Sequence, residues 1–221
     1  MDVSTAAERR ISVRAFLPDP VPEATVRGLL ERASRAPSGG NLQPWKVYVL
    51  TGEPLKALVE KAKSRAFTGG ERMEYAIYPK ELWSPLRDRR FQCGEDMYGV
   101  LGIPREDKAA RLTWFARNVE LFSAPVGLFF AIDRRCGPPQ WSDLGMFMQT
   151  FMLLAVEAGM DTCAQEFWAT LPETVGEAVG MDPDHMLFSG MALGYRDDAA
   201  PINTLRTRRE TVDAFATLKG F

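Results

Sequence analysis

The chain has one histidine, His185, and three cysteines, Cys93, Cys136 and Cys163, among its 221 residues. A single imidazole excludes a histidine-rich metal centre. It also forces any Ser-His-Asp triad through His185, which follows "MDPD" and not a nucleophile elbow. An odd number of widely spaced cysteines, with no C-x-x-C, argues against a disulfide framework, so they read as ordinary thiols. Neither G-x-G-x-x-G nor G-x-x-x-x-G-K-[ST] occurs, which removes the Rossmann fingerprint and the Walker loop. Lys and Arg number 27 against 29 Asp and Glu, a net charge of -2, so nothing in the bulk charge attracts nucleic acid or an anionic membrane. The longest apolar run, "LFSAPVGLFFAI", is too short and too interrupted to span a bilayer, and the start "MDVSTAAERR" is polar. These absences predict a soluble, cytoplasmic protein that binds neither nucleic acid nor membrane. Any anion must be caught locally, and demanding chemistry must come from a borrowed cofactor.

What is present is a globular composition, 46% hydrophobic and 25% charged, which predicts one domain over residues 1–221. "PEATVRGLLERASRA" places Val26, Leu29, Leu30 and Ala33 on one stripe behind Pro22 and predicts a helix. "WKVYVL" reads as a strand and residues 53–66 as a second amphipathic helix. From Phe67 to Arg105 there is no clean periodicity, and this stretch is read as a long excursion over a binding site. "EDKAARLTWFARNVELFSAP" returns to helix, and "VGLFFAID" is a buried strand. From Leu144 to Ala158 the chain is apolar on nearly every face, with Gly159 placed to end it; a helix buried all round is predicted, lying at a dimer interface. Met146, Met148 and Met152 on it read as core filler. A short helix at "ETVGEAVG", a strand at "MLFSGMALGY" and a charged tail from Leu205 complete the outline.

Three clusters carry chemical information. "APSGGNLQPW" sets Gly39 and Gly40 beside Asn41 and Gln43, so bare backbone and two amides can approach a flat polar ligand closely. Arg10, Ser12 and Arg14 alternate near the start, and Arg206 and Arg208 alternate near the end. In extended chain each set points to one side, and guanidinium forks with a hydroxyl suit a phosphate monoester. The competing reading is a set of solvated surface charges.

Arg-x-Ser-x-Arg-x-Phe, followed by Pro-Ser-x-x-Asn-x-Gln-Pro-Trp, resembles the FMN-dependent nitroreductase family. The likeness continues through the Asp143–Gly159 helix and the tail "LGYRDDAAPINTLRTRR", and spans nearly the whole chain. It implies an α+β homodimer whose mostly antiparallel sheet is flanked by helices and completed by a C-terminal strand exchanged between subunits, with two FMN molecules at the interface. By motif, Arg10, Ser12, Arg206 and Arg208 would hold the FMN phosphate and ribityl chain, and Arg14 would lie toward the flavin pyrimidine. Pro37, Ser38, Gly39 and Asn41 would come from the neighbouring subunit. Relatives often carry Glu-Gly ahead of the residue matching Phe167; this chain has Gln165 and Glu166 at the place whose backbone faces flavin N5.

The implied chemistry is ping-pong two-electron transfer from NADPH or NADH, through FMN, to a nitroaromatic, nitrobenzoate-like compound or a quinone. No side chain need act as a nucleophile, since flavin N5 transfers the hydride. Within the excursion, Tyr75, Tyr78, Trp83, Phe91 and Tyr98, together with Trp114, are candidates to stack on substrate; of these Phe91, Tyr98 and Trp114 are taken as binding residues. Arg87, Arg89 and Arg90 are candidates to pair with a substrate carboxylate. Reductive dehalogenation, flavin or heterocycle oxidation, and non-catalytic flavin binding remain open alternatives at this level.

Overall fold

The computed structural model describes residues 1–67 and 71–221. In chain order its elements are α1 (Val3–Arg9), α2 (Glu23–Ala33), β1 (Lys46–Thr51), α3 (Gly52–Arg65), α4 (Leu86–Val100), α5 (Lys108–Ala116), β2 (Val126–Asp133), α6 (Pro138–Glu157), β3 (Asp161–Gln165), α7 (Pro172–Val179), β4 (His185–Gly194) and α8 (Val212–Phe215). The four strands form one sheet in the order β1-β2-β4-β3, with every neighbouring pair antiparallel. The result is an α+β fold, a single antiparallel sheet flanked by helices.

The central strand β2 is buried along nearly its whole length because both faces are covered. That is why "VGLFFAID" is apolar throughout instead of alternating. On one face, Leu128 and Phe130 pack with Leu29 and Ala33 of α2 and with Leu144, Phe147 and Phe151 of α6. On the other, Phe129 meets Trp168 edge-on at 5.1 Å, among Leu55, Leu58 and Ala62 of α3 and Val175 of α7. Helix α6 ends as its sequence predicts. Gly159 takes φ 78°, which lets Met160 donate its N–H back to the Ala155 carbonyl at 2.9 Å.

Four features depart from the sequence reading. The excursion contains a 15-residue helix, α4, with no buried residue; without a buried stripe it has no periodic signal to read. The helix predicted through Pro125 stops at Ala116, where a tight turn follows and Leu121, Phe122 and Ser123 adopt φ of 50°, 54° and 67°. Helix α6 is buried on one side only, leaving Gln149 and Met146 exposed, Met146 by 38%. The tail after Leu205 forms the single turn α8 and no strand within the chain, so the exchanged strand would need a second copy. Among the described residues no helix is long and apolar enough to cross a membrane.

Candidate functional site

The N-terminal segment is fastened along the outer edge of β3. Ser12 bridges Thr162 in parallel, and the Val13 N–H donates to the Thr162 carbonyl at 3.0 Å. Val13 is fully buried, while Ser12 and Arg14 on either side of it stay half-buried and face outward. A second clamp comes from Asn203, which is buried just ahead of the arginine tail. Its Oδ1 accepts from the Arg14 N–H at 2.9 Å, and its Nδ2 donates to the carbonyls of Ala15 and Asp197, both at 2.8 Å. One amide thereby fixes both arginine segments against each other. Nothing in the sequence set Asn203 apart, because "PINT" carries no spacing signal.

Between these segments lies a groove of about 330 Å³ lined by Arg10, Ser12, Arg14, Cys93, Arg206 and Arg209. Burial depresses the proton affinity of Arg10, and the neighbouring Arg209 charge depresses it further. Crowded guanidinium groups disfavour one another unless an anion enters between them. Buried Cys163 on β3 behaves as an internal gauge: burial raises its thiol pKa, while Arg14 and then Arg10 pull it back down. Arg208, one of the residues expected in this groove, does not line it in the single chain. It lies 3.3 Å from Asp96 of α4, and Arg89, two turns earlier on the same helix, holds Glu210 at 2.8 Å. Arg209 takes the inward place because the tail between Leu205 and Glu210 is not regular strand, so alternate residues do not share a side.

Strand β3 leads from this groove to Gln165 and Glu166. The four-residue step from Thr162 to Glu166 covers on the order of 13 Å of extended chain. Gln165 is buried and donates its amide to the backbone carbonyl and Oδ1 of Asn118 at 3.0 and 3.1 Å, while its own Oε1 has no partner. Glu166 is exposed, and the neighbouring Tyr78 hydroxyl favours its carboxylate form. Partial desolvation raises the Glu166 pKa, and the Tyr78 contact works in the opposite direction. Tyr75 stacks on Phe188 at 5.7 Å, donates its hydroxyl to the Phe188 carbonyl, and has its pKa pushed up to about 12, mainly by burial.

The glycine loop occupies a different surface. The Gly39 N–H donates to both carboxylate oxygens of buried Asp143 at 3.3 Å, and the Ser38 hydroxyl accepts from the Gln43 N–H at 3.0 Å. Pro37, Gly39 and Asn41 are exposed, and Asn41 and Gln43 hold positive φ of 57° and 50°. None of these residues lines the arginine groove of its own chain.

The aromatic candidates are dispersed. Phe91 lies under Arg105 at 5.1 Å and Tyr98 under Arg111 at 4.1 Å, while Trp83 is exposed. Trp114 packs toward Phe122 at 6.1 Å as part of the core margin. Of the candidate arginines, Arg87 is paired with Asp88 and Arg89 with Glu210, whereas Arg90 sits 4.4 Å over the Tyr78 ring. A larger cleft of about 470 Å³ opens beside His185, but its Arg134 is already engaged by Glu74 and by the Pro183 carbonyl.

An antiparallel sheet flanked by helices, with a guanidinium groove at one end of an edge strand, defines a class that comparison with known proteins identifies. The family model described as "Nitroreductase family" matches residues 7–195, and the chain belongs to that family. It is 36% identical to the 4-nitrobenzoate reductase of Pseudomonas putida over 220 residues, covering 100% of this chain and 96% of that protein. The crystal structure of the FMN and NADPH-dependent nitroreductase NfnB from Sphigopyxis sp. strain HMH superposes with a TM-score of 0.97, at 45% identity and full coverage of both chains. NfnB of Mycobacterium smegmatis, solved as an FMN-dependent nitroreductase in complex with NADPH, superposes at 0.93 with 29% identity, covering 99% of this chain and 100% of that one.

Proposed function

We propose that this chain is an FMN-dependent oxidoreductase that uses NADPH or NADH to reduce nitroaromatic compounds, nitrobenzoates among them, and quinones. The observation that carries the reading is the set of crowded, anion-seeking guanidinium groups at the start of β3, with a polar loop one cofactor's length further along the same strand. FMN fits these residues: a phosphate among Arg10, Ser12, Arg206 and Arg209 would relieve the repulsion between Arg10 and Arg209, and Gln165 Oε1 is a buried acceptor without a partner. Bound FMN supplies hydride transfer in both directions, from the nicotinamide and then to the acceptor. Arg14 would supply a cation, and the Gln165–Glu166 backbone at the end of β3 would supply polar groups, to the flavin ring. The nicotinamide nucleotide and the acceptor would use one open face in turn, which gives ping-pong kinetics.

The same reading places Pro37, Ser38, Gly39 and Asn41 against the cofactor of a neighbouring subunit, since they are remote from the groove of their own chain. It takes the whole chain as one FMN-binding unit, working as a homodimer in the cytoplasm. Purified protein is expected to be yellow, to bleach on anaerobic titration with NADPH or NADH, and to recover its colour on addition of 4-nitrobenzoate. Protein that takes up no FMN on reconstitution would overturn the proposal.

A further inference from the structure

We infer that the cleft beside His185 is a second binding site, separate from the arginine groove, for a small aromatic molecule with a carboxylate at one end and an N–H donor at the other. The ligand class is read from the cleft itself; that the reduced product of a nitrobenzoate belongs to it rests on the function proposed above.

The cleft has a volume of about 470 Å³, within the size range of small-molecule sites, and shares no lining residue with the arginine groove. It also lies at the other end of the sheet. Thr162, where the N-terminal segment is fastened, pairs with Leu193, whereas His185 opens the same strand β4 eight residues earlier, on the order of 26 Å of extended chain away.

One wall is a strap, residues 71–75, pinned at both ends. The Glu71 carboxylate accepts from the N–H groups of Glu173 and Thr174 at 2.6 and 3.0 Å, at the start of α7, and Tyr75 stacks on Phe188 of β4 at 5.7 Å. Between those pins Arg72, Met73 and Glu74 line the cleft.

The two ends of the cleft call for opposite chemistry. At the start of α7 the helix N–H groups are already met by Glu71, but the adjacent Arg72 has no hydrogen-bond or ion-pair partner among the described residues, not even Glu173 on the same wall. A carboxylate is the partner that a guanidinium fork takes. Past the end of α7 the unmet groups include two carboxylates. Arg134, which donates to the Pro183 carbonyl at 2.8 Å, draws Glu74 to this end through Oε1, while Glu74 Oε2 is buried with no donor. Asp182 is in no ion pair among the described residues, and His185 Nδ1 is buried without a partner.

Helix α7 separates these ends by on the order of 12 Å along its axis. An α-amino acid, with both groups on one carbon, would therefore meet only one end, whereas a para-substituted ring reaches toward both. The apolar lining is Met73, Met181 and Leu187, and thioethers pack well against ring edges. A metal ion is poorly suited, since among the described residues no three His, Cys, Asp or Glu side chains are placed to hold one. The nitro end of a nitrobenzoate only accepts hydrogen bonds. Reduced to the hydroxylamine or amine, the same end gains the N–H that Glu74 and Asp182 lack, so the cleft selects product over substrate.

The single histidine of the chain gives the cleft its own reporter. With the His185 imidazole labelled with carbon-13, NMR spectra of the FMN-loaded protein at fixed pH should show its resonance shifting saturably as 4-aminobenzoate is added. 4-Nitrobenzoate should act on that resonance about tenfold more weakly or less, because it leaves the acceptors unpaired. Arg72→Ala and Asp182→Asn alter exposed side chains, and the asparagine keeps an acceptor for the Asp184 N–H. Each should raise the dissociation constant read from the shift by about tenfold, the loss of one charge-assisted partner. No saturable shift up to millimolar 4-aminobenzoate, or a shift that both substitutions leave unchanged, would overturn the site. An equal response to 4-nitrobenzoate would overturn the ligand class. The readout is independent of turnover: protein that took up no FMN would overturn the function proposed above, while His185 would still report on the cleft.

Discussion

Arg208 and Arg209 are adjacent in sequence but meet different neighbours, Asp96 and the groove beside Arg10, and the difference can be read out one side chain at a time. Arg209 lines the groove beside Arg10, with Glu8 the one carboxylate among its lining residues, so removing it takes away a charge-assisted partner of a bound phosphate, an interaction of about 1.5 to 3 kcal/mol. Arg208 is 74% exposed and paired at 3.3 Å with Asp96, the kind of contact whose loss changes little. FMN dissociation constants measured by fluorescence quenching should therefore rise by roughly tenfold or more for Arg209→Ala and stay within about threefold for Arg208→Ala. The reverse ranking would show that the tail rearranges when the cofactor enters. Glu166 gives a prediction about pH with a definite sign. Its pKa is raised above the ordinary 4.5, so between that value and the raised one the folded chain binds more protons than the unfolded chain. Stability contributed at this site is present below the ordinary value and is lost as pH rises through the window. Glu166→Gln should accordingly be the more stable protein in urea titrations near pH 8, with the advantage vanishing near pH 4. A wild type more stable than the variant at the higher pH would contradict the desolvation.

At the level of elements, what could be read from the sequence was whatever left a burial rhythm. β2 matches its predicted residues, Val126–Asp133, because a strand covered on both faces must be apolar throughout. α2 and α3 were legible from their stripes, α6 from its apolar run though not its one-sided burial, and Arg10, Ser12 and Arg14 from their alternation, which the bridge to Thr162 keeps. α4 was illegible because no residue of it is buried, and Arg209 because the tail has no regular period to extrapolate. Gly190 is a third kind of omission, a constraint set by a residue far away in sequence. A Cβ built on it would lie 2.4 Å from Cδ1 and 2.7 Å from Cγ of Trp168, the indole that also packs edge-on against Phe129. The glycine thus lets the turn after β3 lie flat on β4, which is what holds Gln165 and Glu166 in position. Gly190→Ala should cost about 1 to 3 kcal/mol in denaturant titration through overpacking, and should disturb FMN fluorescence as well. Full stability in that variant would mean that Trp168 has room to withdraw.

For the whole molecule, the proposed homodimer makes a prediction about which described surfaces a second copy covers. Met146 on α6 lies open, and beyond Asn203 no residue is buried, although Phe215, Leu218 and Phe221 are 73%, 66% and 106% exposed. The loop from Pro37 to Gln43 holds Asn41 and Gln43 at positive φ, a conformation with a local cost, yet it does not line the arginine groove of its own chain. Apolar residues along a tail, an exposed helix face and a strained exposed loop are mutually explained if each is covered by a second copy. The tail then becomes a testable part of the assembly. Deleting residues 211–221 removes nothing buried, so far-ultraviolet circular dichroism and the urea midpoint of the folded unit should hold for each chain. Light scattering should show a fall toward the mass of one truncated chain, somewhat below the 24.7 kDa of the full chain, and FMN retention should weaken together with it, because the loop that completes each proposed site would no longer be supplied across the interface. A truncated protein that keeps the full-length mass and its flavin would place the contact on α6 alone. One that stays at the single-chain mass both before and after truncation would remove the neighbouring subunit from the cofactor site altogether.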